Sequence, residues 1–350
     1  MNNTQANSNR NPIARFFRYL ADLVVGYFRR NSGILIALLI LCLFLWFSTA
    51  TYDGVGFFEA LGTSKFMNGT NLLTVLRQIC QNALLAFGMT CVLIVGGIDL
   101  TVGSVFGVSG VAMVMMLNGG VHILPAFIIS LLLGTVIGLI NGSIIAFTGM
   151  PAFIVTLSMQ EVIRGVAFII TNGRAVGSNH KLFNSIGNAY LLGIPVPIYF
   201  VLVVLIIVSI ILYRTKLGRR MYAVGGNVNA ARFTGIRIPR VVISAYMISG
   251  TLAALSGVIL ASRMYSGQPT AGDGYESDAI AASVLGGVSF TGGIGTVGGT
   301  LIGALVIGVL NNGLNLLRVS SYVQMIIKGL VIIAAVGVDI IKSRASGIKK

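Results

Sequence analysis

Beyond residue 30 the chain is mostly long apolar runs separated by short polar intervals. About 20 apolar residues cross a bilayer as a helix. Windows of that kind fall at 33–49, 72–95, 101–117, 122–147, 151–171, 197–213, 241–262, 279–292, 297–317 and 322–341. The pattern predicts an all-α polytopic membrane protein of about ten transmembrane helices. Eight or nine full spans also fit, because the eighth window is short and glycine-laced and the third starts at a polar break.

The longest polar interval between two long apolar runs is 214–240, with Arg214, Lys216, Arg219, Arg220, Arg232, Arg237 and Arg240 and no acid. Its punctuation predicts a small helix. Asn227 follows Gly225-Gly226 and can cap the first turn. Val228 to Thr234 makes about two turns, and Gly235 can close them in a left-handed conformation. Two readings stand for this stretch: a helix displayed for another protein to hold, or a solvated loop that only enforces topology.

Residues 1–12 are polar and Asn-rich, with no secretory-signal pattern. Residues 13–30 mix aromatic and aliphatic positions with arginines. They read either as a basic amphipathic helix on the inner leaflet or as a lead-in to the first span. A single transmembrane domain then covers 31–342, and 343–350 form a tail.

Composition narrows the class. Hydrophobic residues make up 55% and charged residues 9%, against roughly a quarter charged in soluble domains. The net charge of +15 would suggest nucleic acid in a soluble protein. Here the positive residues flank apolar runs at 10–30, 214–240 and 342–350, as cytoplasmic retention of Lys and Arg requires. With an inner N-terminus, the loops after spans one, five, seven and nine face out. Those loops hold most of the loop acids: Asp53, Glu59, Asp273, Glu276 and Asp278. The 214–240 loop and both termini then face the cytoplasm.

Polar groups inside the apolar runs are the candidate chemistry. Gly96-Gly97-Ile98-Asp99-Leu100-Thr101-Val102-Gly103-Ser104 interrupts an otherwise apolar stretch. Non-helical backbone at membrane depth is tolerated only where protein buries it or it lines a cavity. Asp99 reads as part of a broken helix beside a transport path, or as a helix cap at the membrane edge. Glu161 and Arg164 are three apart on one helix and can pair. Arg77 and Lys328 can snorkel to an interface. Asn141, Asn311, Asn312 and Asn315 lie on glycine-rich spans, where amides can bond between helices or line a pore suited to hydroxyl groups. Asp273, Glu276 and Asp278 read as a rim that receives a partner outside or as acids favourably placed at a helix start. The segment 138–143 echoes 308–313 on spans of opposite direction, as in inverted repeats.

Other classes are disfavoured. Cys42, Cys80 and Cys91 have no metal spacing and read as packing residues. His122 and His180 are isolated and fall near the outer surface. The 286–299 stretch is rich in glycine but lacks the Lys-Ser/Thr of a phosphate-binding loop. Neither a catalytic constellation nor an ATP site is visible, so the chain reads as a non-catalytic protein with no cofactor or metal of its own.

Several segments together resemble the permease subunits of bacterial ABC sugar importers, in the ribose, galactose, xylose and arabinose branch. They are Gly97 to Ser104, Leu217 to Asn227, Tyr275 to Ala282 with Gly286-Gly287, and Gly292 to Thr296. Gln268 to Gly272 and Asn311 to Leu317, followed by Val319 to Tyr322, draw the likeness toward the ribose permeases. The resemblance runs from about residue 70 to 340. It implies a homodimeric permease that takes a sugar from a binding protein outside and couples to an ATPase inside, which uses the ATP. Gly225, Gly226, Asn227, Ala230, Ala231 and Gly235 then become the ATPase-docking surface, since Ala230-Ala231-x-x-x-Gly235 resembles the EAA loop of such permeases. Asn229 stands where that signature has Glu. The competing readings are a proton-coupled carrier using Asp99 or Glu161, and a passive channel.

Overall fold

A computed structural model describes residues 32–51 and 56–345. The expected N-terminal segment and amphipathic helix, Asp53, and tail residues 346–350 lie outside the described residues. The chain is almost wholly helical. In order come α1 (Ser32–Ser48), α2 (Phe57–Gly62), α3 (Gly69–Ile94), α4 (Val102–Asn118), α5 (Ile123–Thr148) and α6 (Ala152–Thr171). Then come α7 (Lys181–Asn188), α8 (Val196–Arg214), α9 (Lys216–Gly226), α10 (Val228–Phe233) and α11 (Ile238–Arg263). The last are α12 (Tyr275–Leu285), α13 (Val297–Leu316) and α14 (Ser321–Ala345).

By length and composition, α3, α5, α6, α8, α11, α13 and α14 can each cross a membrane. The apolar α1 and α4 are shorter, at 17 residues each. The span expected over 279–292 is not a helix of that length. Its helix is α12, 11 residues or about 16 Å long, half of a hydrocarbon core. Gly287, with φ +83°, turns the chain just past its end. The other half of this crossing is the non-helical stretch before α12, two strand residues followed by successive turns, which runs down beside α4. A Cβ on Gly267 would meet Val111, and one on Gly272 would meet Gly103.

Local sequence sets the helix ends. Asn68, Thr215, Asn227 and Thr296 each accept a backbone N–H in the first turn of the helix that follows. His122 and His180 cap α5 and α7 through Nδ1. Gly149, at φ +72°, closes α5. Two short antiparallel pairs lie at the end opposite the 214–240 loop: β1 (Val176–Gly177) with β4 (Ser266–Gly267), and β2 (Tyr190–Leu191) with β3 (Ile194–Pro195).

Two helices organise the core. Helix α11 lies antiparallel to α5, where Gly134 meets Gly250 and Gly138 meets Tyr246. It also runs alongside α4, where Gly257 meets Phe106. Helix α3 repeats this arrangement in the opposite direction. It lies antiparallel to α13, with Ile79 against Gly308 and Thr90 bonded to Thr300 at 2.6 Å. It runs alongside α12, with Ser283 bonded to the Ala86 carbonyl at 3.1 Å. The sequence echo of 138–143 and 308–313 falls on α5 and α13, which correspond in the two arrangements.

Small residues let these backbones approach, which is what packs helices in lipid. A Cβ on Gly257 would stand 1.9 Å from the Phe106 carbonyl oxygen, whereas one on Gly165 meets nothing. Gly257→Val is therefore expected to cost about 3 kcal/mol through overpacking, while Gly165→Ala should leave stability unchanged or slightly raised. Thermal unfolding of the purified variants in detergent, with gel filtration for the folded fraction, checks both.

Candidate functional site

The 214–240 loop is more ordered than its composition suggested. Thr215 starts α9, a helix that sequence reasoning left as loop. Its signal was present in Leu217, Met221 and Val224, spaced for one buried face. The Asn227 side chain accepts the Ala230 N–H at 2.9 Å, and Gly235 has φ +77°. Both expected ends of α10 are therefore in place. Gly225, expected on the ATPase-docking surface, is buried. It is the penultimate residue of α9, and a Cβ there would stand 1.7 Å from the Ile94 carbonyl oxygen. Gly225 thus serves close packing, while Gly226 faces open space.

The two alanines also separate. Ala230 is exposed, but Ala231 is 3% exposed and joins the core. Ala231 was expected to face a partner; on this short helix it occupies the inward side. The outward apolar groups are Val228 and Phe233, the latter 92% exposed.

Next to α9 lies the turn that follows α12. The Gly293 N–H bonds to the Ile94 carbonyl at 2.9 Å, and Tyr222 Oη donates to the Gly295 carbonyl at 2.9 Å. Asp339 on α14 accepts the Phe290 N–H at 3.1 Å and Ser289 Oγ at 3.2 Å.

Asp99 is fully buried. One carboxylate oxygen accepts the Thr101 N–H at 3.1 Å and the Thr101 hydroxyl. The other accepts Ser249 Oγ at 2.7 Å. Asn141 Nδ2 donates to Thr101 Oγ1 at 3.0 Å, and Tyr246 Oη donates to the Ile98 carbonyl at 3.0 Å. Asp99 thus supports the start of α4, as a cap would. It does so against the middle of α11 and not at a membrane edge.

A polar cavity of about 320 Å³ opens near the end of the bundle opposite the 214–240 loop. Helix α3 contributes Gln78, Gln81 and Asn82; α11 contributes Leu260 and Arg263; α12 contributes Tyr275 and Asp278; α13 contributes Asn311 and Asn315; α14 contributes Gln324 and Lys328. Asp278 Oδ2 accepts Lys328 Nζ at 3.0 Å and Asn311 Nδ2 at 3.2 Å. Gln324 Nε2 donates to Asn315 Oδ1 at 2.9 Å.

The four residues expected along one path therefore divide. Asn311 and Asn315 line the cavity, while Asp99 and Asn141 belong to the buried cluster. Asn312 instead exchanges bonds with Asn71.

The acidic rim is corrected as well. Asp273 is exposed, but Glu276 and Asp278 are 9% and 2% exposed. The covering stretch against α4 encloses Glu276 at Gly103, and α13 and α14 enclose Asp278. Lys328 is the partner of Asp278. Glu161 is exposed and does not hold Arg164, whose Nη1 donates to the Pro269 and Ala271 carbonyls, each at 2.7 Å. Arg77 donates to the Asn188 carbonyl and stands 4.5 Å over the Tyr190 ring. Sequence reasoning missed the amides of α3, although Gln78, Gln81 and Asn82 have the spacing of one helical face. Among the described residues, no group of three or more His, Cys, Asp or Glu could hold a metal ion.

A bundle with two broken crossings, a basic loop and a polar cavity defines a membrane permease, and comparisons with known proteins agree. Residues 71–336 match the model of a family described as the permease component of the branched-chain amino acid transport system. The chain belongs to this family of transport permeases. It is 47% identical over 282 residues to the ribose import permease protein RbsC of Bacillus subtilis, covering 80% of this chain and 87% of the relative. To RbsC of Escherichia coli K12 it is 46% identical over 279 residues, 79% of this chain and 87% of the relative. To the D-allose transport system permease protein AlsC of E. coli K12 it is 37% identical over 286 residues, 81% and 88% of the two chains. No solved structure matches the chain.

The Asp278–Lys328 pair gives a stability test. Asp278 has only 3% side-chain exposure and Lys328 30%. Lys328→Met should cost about 2–3 kcal/mol, a low value for breaking a buried pair because the lysine reaches water. Adding Asp278→Asn should recover much of that loss, since no unpaired charge then stays buried. Denaturation of the single and double variants in one detergent checks the difference.

Proposed function

We propose that the chain is the membrane-spanning subunit of an ATP-binding-cassette importer that moves a monosaccharide, ribose or a similar pentose. Similarity to ribose import permeases across most of both chains carries this reading. The amide-lined cavity supports a sugar over an aliphatic amino acid, because its wall offers several hydrogen-bonding amides beside its apolar surface. A second copy of the chain completes the pore. A sugar-binding protein delivers cargo on the outer side, and a separate ATPase docks on the inner side. The chain itself catalyses nothing.

Sidedness follows from charge. The basic 214–240 loop and both termini face the cytoplasm, and the cavity opens toward the outside. Exposed Asp273 stands on that outer side and helps guide the binding protein, as rim charges speed encounter. Helix α10 is the docking element, with Phe233 and Val228 as apolar anchors and Ala230 leaving room between them. Asp99 and Glu161, the acids a proton-coupled carrier was expected to use, do not line the cavity. Uptake that survives a proton uncoupler and stops on ATP depletion tests the energy source.

Docking has its own test. Removing an interface anchor costs about 2 kcal/mol or more, roughly thirtyfold in affinity. Phe233→Ser should therefore lower recovery of the ATPase subunit and uptake together, with membrane insertion unchanged. Undiminished recovery would leave the loop a topological anchor. In intact spheroplasts, Asn229→Cys should resist an impermeant thiol reagent, and a cysteine at Asp273 should react.

A further inference from the structure

We infer that the cavity between α3, α11, α12, α13 and α14 is itself a binding site for one uncharged monosaccharide, held within a single protomer. The inference rests on the sugar-permease reading and adds where the cargo pauses and which groups hold it.

Size limits the ligand first. About 320 Å³ lies at the small end of ligand cavities, which run from about 300 to 1,000 Å³. One sugar ring fits and an oligosaccharide does not. Chemistry limits it next. The amides of Gln78, Gln81, Asn82, Asn311, Asn315 and Gln324 each carry a donor and an acceptor. A hydroxyl group also donates and accepts, so a ring bearing several hydroxyls matches such a wall. Asp278 and Lys328 neutralise each other at 3.0 Å, so they do not require a charged ligand. Leu260 and Met264 provide a small apolar surface for the C–H face of a ring.

Two wall atoms point to an occupant. Gln81 is 3% exposed, and its Nε2 has no protein partner. Asn311 spends its Nδ2 on Asp278, while its buried Oδ1 has none. One unpartnered donor and one unpartnered acceptor therefore belong to residues that line the same polar cavity. Buried polar groups are nearly always bonded, and a sugar hydroxyl supplies what both lack. Asn315 and Gln324 already bond to each other. The first binding contacts are thus assigned to Gln81 and Asn311, with Gln78, Asn82 and Arg263 around them.

The test uses the full chain in lipid nanodiscs, without partners, and saturation-transfer NMR with D-ribose and L-leucine at millimolar concentration. Ribose should give signals and leucine should neither bind nor compete. Gln81→Met and Asn311→Leu should weaken the ribose affinity by about tenfold, the loss expected when a buried polar contact is removed. Thr135→Val, at the α5–α11 contact, should leave it unchanged. Equal ribose binding by wild type and both cavity variants, or competition by leucine, would overturn the site.

If neither variant folds, Asn315→Cys serves in their place. Ribose must then slow its reaction with a small charged thiol reagent, and no protection overturns the site. Transport separates this proposal from the one beneath it. Wild-type uptake by Gln81→Met in the assembled transporter removes the site and leaves the permease standing. Absence of ATP-dependent ribose uptake by the wild-type assembly removes the permease reading itself.

Discussion

Hydrocarbon offers no hydrogen bonds, so every backbone group that leaves a helix inside the membrane must find a partner in the protein. This chain leaves helical geometry twice between its long helices, before α4 and before α12. Both breaks are held by polar side chains from neighbouring helices. Tyr246 and Thr156 bond to the Ile98 carbonyl, and Ser249 holds Asp99. Arg164 holds the Pro269 and Ala271 carbonyls. The glycine contacts of α4, α5 and α11 bring these side chains within reach. Without them the breaks would expose unpaired amides, and the shortened crossings that shape the cavity could not form.

The second break also joins the two ends of the molecule. Helix α12 begins at the cavity, where Asp278 meets Lys328 and Asn311. It ends at a turn bound to Ile94, Tyr222 and Asp339. Gly225, just before α10, packs against that same turn. A force applied at α10 therefore has a short, tightly packed route to one wall of the cavity. The 11 residues of α12 run from the cavity wall to the turn packed beside α9 and α10.

Much of this was legible in the chain. Apolar windows marked the long helices, since burial in lipid demands length and continuity. Asn227 and Gly235 marked the ends of α10, because capping and left-handed exits depend on local residue type. The half-length of α12 was only partly visible: the 279–292 window read as short and glycine-laced, but that the crossing is completed upstream shows only in the structure. Side-chain partners far apart in sequence were hidden too. Asp278 and Lys328 are separated by 50 positions, and no local rule pairs them. Glu161 and Arg164 have helical pair spacing, yet the carbonyls of the turns before α12 took the arginine. Ala231 was misread for a different reason. Six residues of helix carry too little periodicity to tell the inward side from the outward one.

The central claim is that this chain conducts a sugar only as part of an ATP-driven assembly. The most direct measurement is uptake of labelled ribose into proteoliposomes with ATP trapped inside. The liposomes carry either the chain alone or the chain with its ATPase, and the sugar-binding protein is added outside. The account predicts accumulation against a gradient only when all components and ATP are present. Ribose entry through the chain alone, at a rate comparable to the complete assembly, would contradict it.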